Sequence, residues 1–82
     1  MPVKRKVQRR TKSTTDPKSI GRRIRKLRGF DVTQGDFARK LGISQSQLSK
    51  YERGLIGPAS DVLIRLKERF GVSIDWLLTG KD

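Results

Sequence analysis

Two short helices that follow one another within residues 33–54 place the strongest constraint on how this chain can fold. Thr33 and Ser44 are each suited to cap a helix N-terminus, and each has a side chain three residues later that can complete a capping box. Gly42 lies between them, where the first helix must end and the backbone needs a positive φ. Helices of about two turns are not stable alone, so this pair must pack against further helices.

The second of these helices divides into an apolar side and a polar side when its residues are placed at 100° intervals. Leu48 and Tyr51 anchor the inner side, together with Gln47 and Glu52. The outer side carries only side chains that form hydrogen bonds or are positively charged: Gln45, Ser46, Ser49, Lys50 and Arg53. A merely solvated face usually mixes acidic and basic residues, whereas this face has no acid. It suits the major groove of DNA, where base edges present donors and acceptors, so we expect these residues and the capping Ser44 to contact DNA.

These residues and their spacing resemble the lambda-repressor/Cro-like family of helix-turn-helix proteins, also called the XRE family. The matching residues run from the start of the first helix to the end of the second: Gln34, Ala38, Gly42, Leu48, Tyr51, Glu52 and Gly54. The similarity continues through GVSIDWLLTG and covers residues 17–80. It implies an all-α fold, a compact five-helix DNA-binding domain, with structural roles for Ala38, Gly42, Leu48 and Tyr51.

The resemblance also assigns roles to residues outside the second helix. In the family, an arginine late in the first helix pairs with the glutamate that Glu52 matches, and Arg28 stands at that place here. Gln34 is expected to hold the DNA backbone, together with the N-terminus of its helix. Where many relatives carry basic residues after the second helix, this chain has Leu55 and Ile56, which we expect to pack or to contact a second subunit.

Three further helices are expected around this pair. The first begins at Pro17 after a capping Asp16 and presents apolar residues spaced by four and three. The fourth carries an apolar stripe for the core: Ala59, Val62, Leu63, Leu66 and Phe70. The fifth follows the cap Ser73, with Trp76 as a core anchor. Similar repressors are joined near their C-terminal helix, so the dimer candidates are Leu55, Ile56, Ile64, and Leu77 or Leu78.

The 82 residues allow one domain, and the formal net charge is +12 at pH 7. The chain has no cysteine and no histidine, which excludes disulfides, thiol catalysis and structural zinc. Few carboxylates and no phosphate-cradling glycine loop leave nothing to support catalysis, so we expect no enzyme activity, cofactor or metal site. No apolar run suits a membrane span or a signal peptide, and a cytoplasmic protein encoded by a bacterium or phage is expected.

Residues 1–16 form a basic arm that we predict to be disordered, ahead of a helix-turn-helix domain at residues 17–82. The first 18 residues hold seven basic side chains against the single acid Asp16. We expect the arm to lie along phosphates or to enter the minor groove of DNA, through Lys4, Arg5, Lys6, Arg9 and Arg10. The alternative is a solvated tail that aids solubility.

Two functions from different classes follow from these features. The favoured one is a sequence-specific regulator of transcription, a repressor that binds double-stranded DNA as a homodimer on an inverted repeat, without a small-molecule effector. Gln45 would then read a base edge, most naturally adenine through N6 and N7. The alternative is a transcriptional bridging or other protein-interaction module that reuses the same fold and has only non-specific affinity for DNA.

Overall fold

The computed structural model describes residues 16–81, which contain five α-helices and no β-strand. The helices are α1 Pro17–Arg28, α2 Gln34–Leu41, α3 Gln45–Glu52, α4 Ser60–Phe70 and α5 Ile74–Thr79. The prediction of an all-α, five-helix fold is confirmed. Nearly all of the predicted basic arm lies outside the described residues. Within residues 16–81, no helix is long and apolar enough to cross a membrane.

Four of the five helices begin at a side chain that accepts a hydrogen bond from the backbone three residues later. Asp16 Oδ1 accepts from the Ser19 N–H at 2.7 Å, and this bond holds the pKa of Asp16 below its ordinary value. The equivalent caps of α2, α3 and α5 are Thr33, Ser44 and Ser73. These bonds satisfy N–H groups that have no partner within the helix, which explains why each helix begins where it does.

The core forms where the apolar sides of all five helices meet. α1 packs against α3 and α5, α2 packs against α3 and α4, and α4 also packs against α5. The rings of Phe37 in α2 and Phe70 at the end of α4 stack with centroids 4.8 Å apart. Four leucines from four different helices are fully buried: Leu41, Leu48, Leu66 and Leu77. This packing holds the inner, apolar side of α3 against the core and leaves its outer, polar side facing solvent.

Two predictions are wrong, one drawn from the family resemblance and one from helix periodicity. Leu77 was expected at a subunit interface, but its side chain is fully buried in the monomer core because α5 turns that face towards α1 and α4. Ala59 was expected in the core stripe of α4, but it is the N-cap residue and is exposed. Ala59 lies just before the first residue of α4, where the helical stripe does not yet apply. The side that the six-residue α5 turns to the core depends on packing rather than on a repeating pattern.

Candidate nucleic-acid interface

The turn between α2 and α3 is set by one glycine. Gly42 has φ 73° in the left-handed region, and the next residue, Ile43, donates its N–H to the Ala38 carbonyl at 3.0 Å. This is the arrangement in which a glycine after the last helical residue closes the helix end and turns the chain. A residue with a Cβ would be strained at this φ. The predicted helix-turn-helix is therefore built locally at Gly42.

The inner side of α3 is held by two buried anchors and a hydrogen bond between side chains. Leu48 and Tyr51 are buried, and Gln47 Nε2 donates to the Tyr51 hydroxyl at 2.7 Å. The expected capping box of α3 is only half formed, because Gln47 gives its backbone N–H to Ser44 but turns its side chain towards Tyr51. These contacts fix the rotation of α3 about its own axis.

The outer side of α3 is open to solvent and carries no acid. Gln45, Ser46, Lys50 and Arg53 are exposed, and Ser49 is partly buried. Glu52, the one carboxylate of α3, points inward instead. The structure therefore brings five of the residues predicted to contact DNA onto one accessible surface of hydrogen-bonding and positively charged groups.

The first turn of α2 lies beside the first turn of α3. A Cβ placed on Gly35 would lie 3.6 Å from the Gln45 side-chain oxygen and 4.0 Å from the Thr33 hydroxyl. The N-terminal N–H groups of α2 therefore lie next to Gln45. Helix N-termini favour anions, so this corner of the surface can bind phosphate beside a side chain that can read a base.

A partly buried ion pair ties α1 to the end of α3. Arg28 Nε lies 2.7 Å from Glu52 Oε2, and Arg28 Nη2 lies 2.9 Å from Glu52 Oε1. Arg28 also donates to the Val32 carbonyl at 2.9 Å, and the Gln34 amide donates to Glu52 Oε1 at 3.0 Å. The side chains of Arg28 and Glu52 are 14% and 4% exposed, so the pair predicted from the family pattern is formed and largely shielded from water. Such two-pronged, charge-assisted bonds fix geometry as well as add energy.

The environment of Glu52 keeps this carboxylate ionised. Burial alone would raise the pKa of Glu52, but the hydrogen bonds from Arg28 and Gln34 and the charges of Arg28 and Arg25 outweigh it, so the pKa lies below its ordinary value. The same hydrogen bond with Glu52 raises the pKa of Arg28. Gln34, expected to hold the DNA backbone, thus has a second partner inside the protein, and its amide keeps one further N–H for a phosphate.

Sequence reasoning did not identify Gly21 as important for this surface. Gly21 is buried in α1 against α3, where an added Cβ would overlap the Tyr51 carbonyl oxygen and lie 2.8 Å from that of Glu52. An isolated glycine inside a helical pattern lowers helix stability and so often marks close packing, which is the signal that could have revealed it. Gly21 lets α1 approach the last turn of α3 closely.

The first of the described residues lie close to the end of α3. A Cβ on Gly54, just after α3, would lie 2.7 Å from the Lys18 Cα in the first turn of α1. Residue 16 therefore lies near the C-terminal end of α3. The predicted arm contacts lie outside the described residues: Lys4, Arg5, Lys6, Arg9 and Arg10.

Three of the predicted dimer candidates lie on the surface. Leu55, Ile56 and Ile64 are 59%, 43% and 49% exposed, whereas Leu78 is partly buried against the core. One further large apolar side chain, Phe30, is fully exposed after α1 and was not identified from the sequence. These four side chains are therefore accessible to a partner.

Known proteins share this fold and much of this sequence. A family model described as "Helix-turn-helix" matches residues 22–77. The HTH-type transcriptional regulator ImmR of Bacillus subtilis is 42% identical over 65 residues, which cover 78% of this chain and 50% of the relative. The antitoxin PezA of Streptococcus pneumoniae is 40% identical over 55 residues, covering 66% of this chain and 35% of the relative.

A solved structure matches most of the described domain. The P22 c2 repressor protein, in complex with synthetic operator 9T, superimposes with a TM-score of 0.69 and 30% sequence identity, covering 76% of this chain and 96% of that chain. The chain spans half the length of ImmR and less of PezA, whereas it accounts for nearly all of the solved repressor chain. The family model covers more than half of the chain and agrees with the relatives and the fold, so this chain belongs to the XRE-type helix-turn-helix family.

Proposed function

We propose that this chain is a sequence-specific regulator of transcription that binds double-stranded DNA with α3 in the major groove and acts as a repressor. The observation that carries the proposal is the outer side of α3, where five hydrogen-bonding or basic side chains are brought together without a carboxylate. The relatives named as a transcriptional regulator and as a repressor solved with its operator support the same function.

Each residue of this surface has a role that follows from its chemistry and place. Gln45 can form two hydrogen bonds with an adenine edge, and Ser46 and Ser49 can bond to neighbouring bases. Lys50 and Arg53 are positively charged and suit phosphates, as do the N–H groups at the start of α2. The contacts with phosphate fix the register of the protein on DNA, and the contacts with bases provide the choice of sequence.

Selection of bound sequences from a random pool of DNA duplexes tests the proposal. A sequence-specific regulator is expected to enrich one motif over random competitor. Salt-dependent binding to random DNA does not distinguish the two functions, because a net charge of +12 ensures some non-specific binding in either case. Enrichment of no motif would favour the protein-interaction module, in which α3 contacts protein.

Replacing Gln45 by alanine is expected to weaken binding to the selected site by about 1–3 kcal/mol and to relax the choice at one base position. Binding to random DNA should barely change, because no charge is removed. Arg53→Gln is the contrasting variant, since the loss of a phosphate contact should weaken both kinds of binding and lower the salt dependence. Fluorescence anisotropy with the two DNAs measures these effects, and equal losses for Gln45→Ala would assign Gln45 to the backbone.

Deleting residues 1–15 is expected to reduce affinity without changing the preferred sequence. Each phosphate that the arm neutralises adds about 0.9 to the slope of log affinity against log salt concentration. Titrations at several salt concentrations should therefore give a flatter slope for the shortened chain. Neutralising the exposed Lys67 and Arg69 of α4 is the control, with the slope expected to stay the same. An unchanged slope after the deletion would make the arm a solvated tail.

The proposed regulator binds as a homodimer on an inverted repeat with half-sites about 34 Å apart, one turn of DNA. A single α3 reads too few base pairs to mark a unique site, whereas two copies roughly double the specific free energy. Ile64→Asp should abolish cooperative binding and leave the monomer folded, because Ile64 is half exposed. A folded Ile64→Asp protein with undiminished cooperativity would remove Ile64 from the interface. Selected sites without two-fold symmetry would reject the dimer.

A further inference from the structure

A groove of about 1020 Å³ opens between α1, the segment that follows α1 and the end of α5. Its base is fixed by Arg23, whose Nη1 donates to the Leu77 carbonyl at 2.8 Å. Two aromatic side chains line it: Phe30, which is fully exposed, and Trp76, which is partly buried. The groove thus offers apolar surface between α1 and α5, which this hydrogen bond joins.

The same groove carries a concentrated positive charge. Arg22, Arg25, Lys26 and Lys81 line it and are exposed. None of them belongs to the three ion pairs formed among residues 16–81, and no Asp or Glu is among the described residues that line the groove. The four cations therefore form no ion pair among residues 16–81, although Arg22 lies near Asp16 and Arg25 near Glu52, and together they favour an anionic ligand.

Part of the groove lies on the side of α1 that faces away from α3. At 100° per residue, Ser19, Arg23 and Lys26 of the groove lie on the side of α1 opposite Gly21, which contacts α3. Arg25 and Arg28, which also line the groove, lie on the same side as Gly21. The outer side of α3 faces away from α1, because the inner side of α3 packs against it. A ligand in the groove therefore leaves the outer side of α3 free for DNA.

We propose that this groove binds an acidic segment of another protein that inserts an aliphatic or aromatic side chain between Phe30 and Trp76. Carboxylates of the segment would pair with the four exposed cations, and its apolar side chain would cover the exposed ring of Phe30. The chain's own arm is excluded because it has the same sign of charge as the groove. This partner goes beyond the proposed function, since it gives the domain a protein contact in addition to DNA.

A polypeptide fits this groove better than a nucleic acid does. The C-terminal ends of α1 and α5 both line it, at Gly29 and at Gly80. The last carbonyl groups of a helix have no partner within it and accept hydrogen bonds. The carbonyls of Arg25, Leu77 and Trp76 already accept hydrogen bonds within the protein, and those beyond them remain for a ligand. A polypeptide offers N–H donors to these remaining carbonyls as well as carboxylates to the cations, whereas the sugar–phosphate backbone of DNA offers only acceptors.

Trp76 is the single tryptophan of the chain and reports directly on this groove. Displayed random peptides of about 12 residues, enough for three helical turns, are selected on the full chain, and the enriched sequences are synthesised without tryptophan. We expect them to combine Asp and Glu with a central Leu or Phe and to change Trp76 emission on titration. Phe30→Ala and Arg22→Gln/Lys26→Gln should each weaken their binding about tenfold, as expected for central interface residues.

The matched control is Lys67→Gln/Arg69→Gln, which removes the same charge from exposed positions of α4 outside the groove. This variant is expected to bind the peptides as the unaltered chain does, and Phe30→Ala should fold normally because Phe30 is fully exposed. The proposal would be overturned if both double variants weakened peptide binding equally and Phe30→Ala had no effect. The peptides would then bind through general charge attraction and not in the groove. Tighter binding of oligothymidine with the same dependence on Phe30 would assign the groove to single-stranded nucleic acid.

Discussion

Glu52→Ala is expected to lower the free energy of unfolding by up to about 3–5 kcal/mol, because it leaves the largely shielded Arg28 without its counter-ion. The loss should be visible as a large decrease in the midpoint of urea unfolding, followed by circular dichroism. Asp36→Ala is the matched control, since the Arg39–Asp36 pair has a similar distance of 2.9 Å but is 78% and 55% exposed. An exposed pair contributes only about 0–1 kcal/mol.

A double-mutant cycle separates the pair from the individual side chains. Arg28→Met combined with Glu52→Leu should be less destabilised than the sum of the two single variants, because neither charge is left unpaired. Additive losses would show that Arg28 and Glu52 are not coupled. The same result would argue against the assignment of Arg28 to the family's arginine position.

The lowered pKa of Glu52 gives the stability of the domain a defined dependence on pH. In the unfolded chain glutamate has a pKa of about 4.3, and the folded value is lower, so the unfolded state takes up the proton first as pH falls. The ion pair therefore contributes fully to the unfolding free energy above the pKa of unfolded glutamate. This contribution is lost as pH falls through the lower pKa that Glu52 has in the folded protein. The difference in unfolding free energy between the unaltered chain and Glu52→Gln should shrink in acid, and a constant difference would contradict this account. Asp16, whose pKa is also lowered, is present in both proteins and cancels.

Gly21→Ala is expected to lower the free energy of unfolding by about 1–3 kcal/mol, although alanine favours helix formation. The added Cβ meets backbone oxygens of Tyr51 and Glu52, and backbone can move aside only if α1 and α3 separate. Since α3 carries the proposed DNA contacts, binding to the selected site should weaken as well. Chemical denaturation and anisotropy titrations measure the two effects.

Gly35→Ala is the control for Gly21→Ala, because both glycines lie within helices. At Gly35 the nearest atom to an added Cβ is the end of the Gln45 side chain, at 3.6 Å, which is an ordinary contact. The unfolding free energy of the Gly35→Ala variant should stay the same or rise by up to about 1 kcal/mol, compared with the unaltered chain. If the two variants were equally stable, α1 and α3 would not be in the close contact described above.

The sequence by itself determined where the helices begin and turn, because these signals act over three or four residues. Thr33, Ser44 and Ser73 were predicted to cap helices and do so, each through a bond to a backbone N–H three residues later. Gly42 was predicted at the turn for the same local reason, the need for a positive φ. The two sides of α3 also followed from the sequence, since helix periodicity fixes which residues share a side.

The Arg28–Glu52 pair came from the resemblance to a family rather than from the residues themselves. No local pattern connects two residues 24 positions apart, so composition and periodicity could not have found it. The family pattern supplied the pairing, and the structure adds what the pattern did not contain, namely the bonds from Arg28 to Val32 and from Gln34 to Glu52.

Only the tertiary structure decided which apolar and small residues are covered, because burial depends on how distant helices meet. It buried Leu77 in the core, left Phe30 in solvent, and turned the Gln47 side chain to Tyr51. It also gave Gly21 its role, since a missing Cβ matters only where another backbone approaches. Caps and turns form hydrogen bonds with backbone groups a few residues away, so they can be predicted from the sequence. The contacts of α1 with α3 and α5 join residues far apart in the chain and exist only in the folded domain.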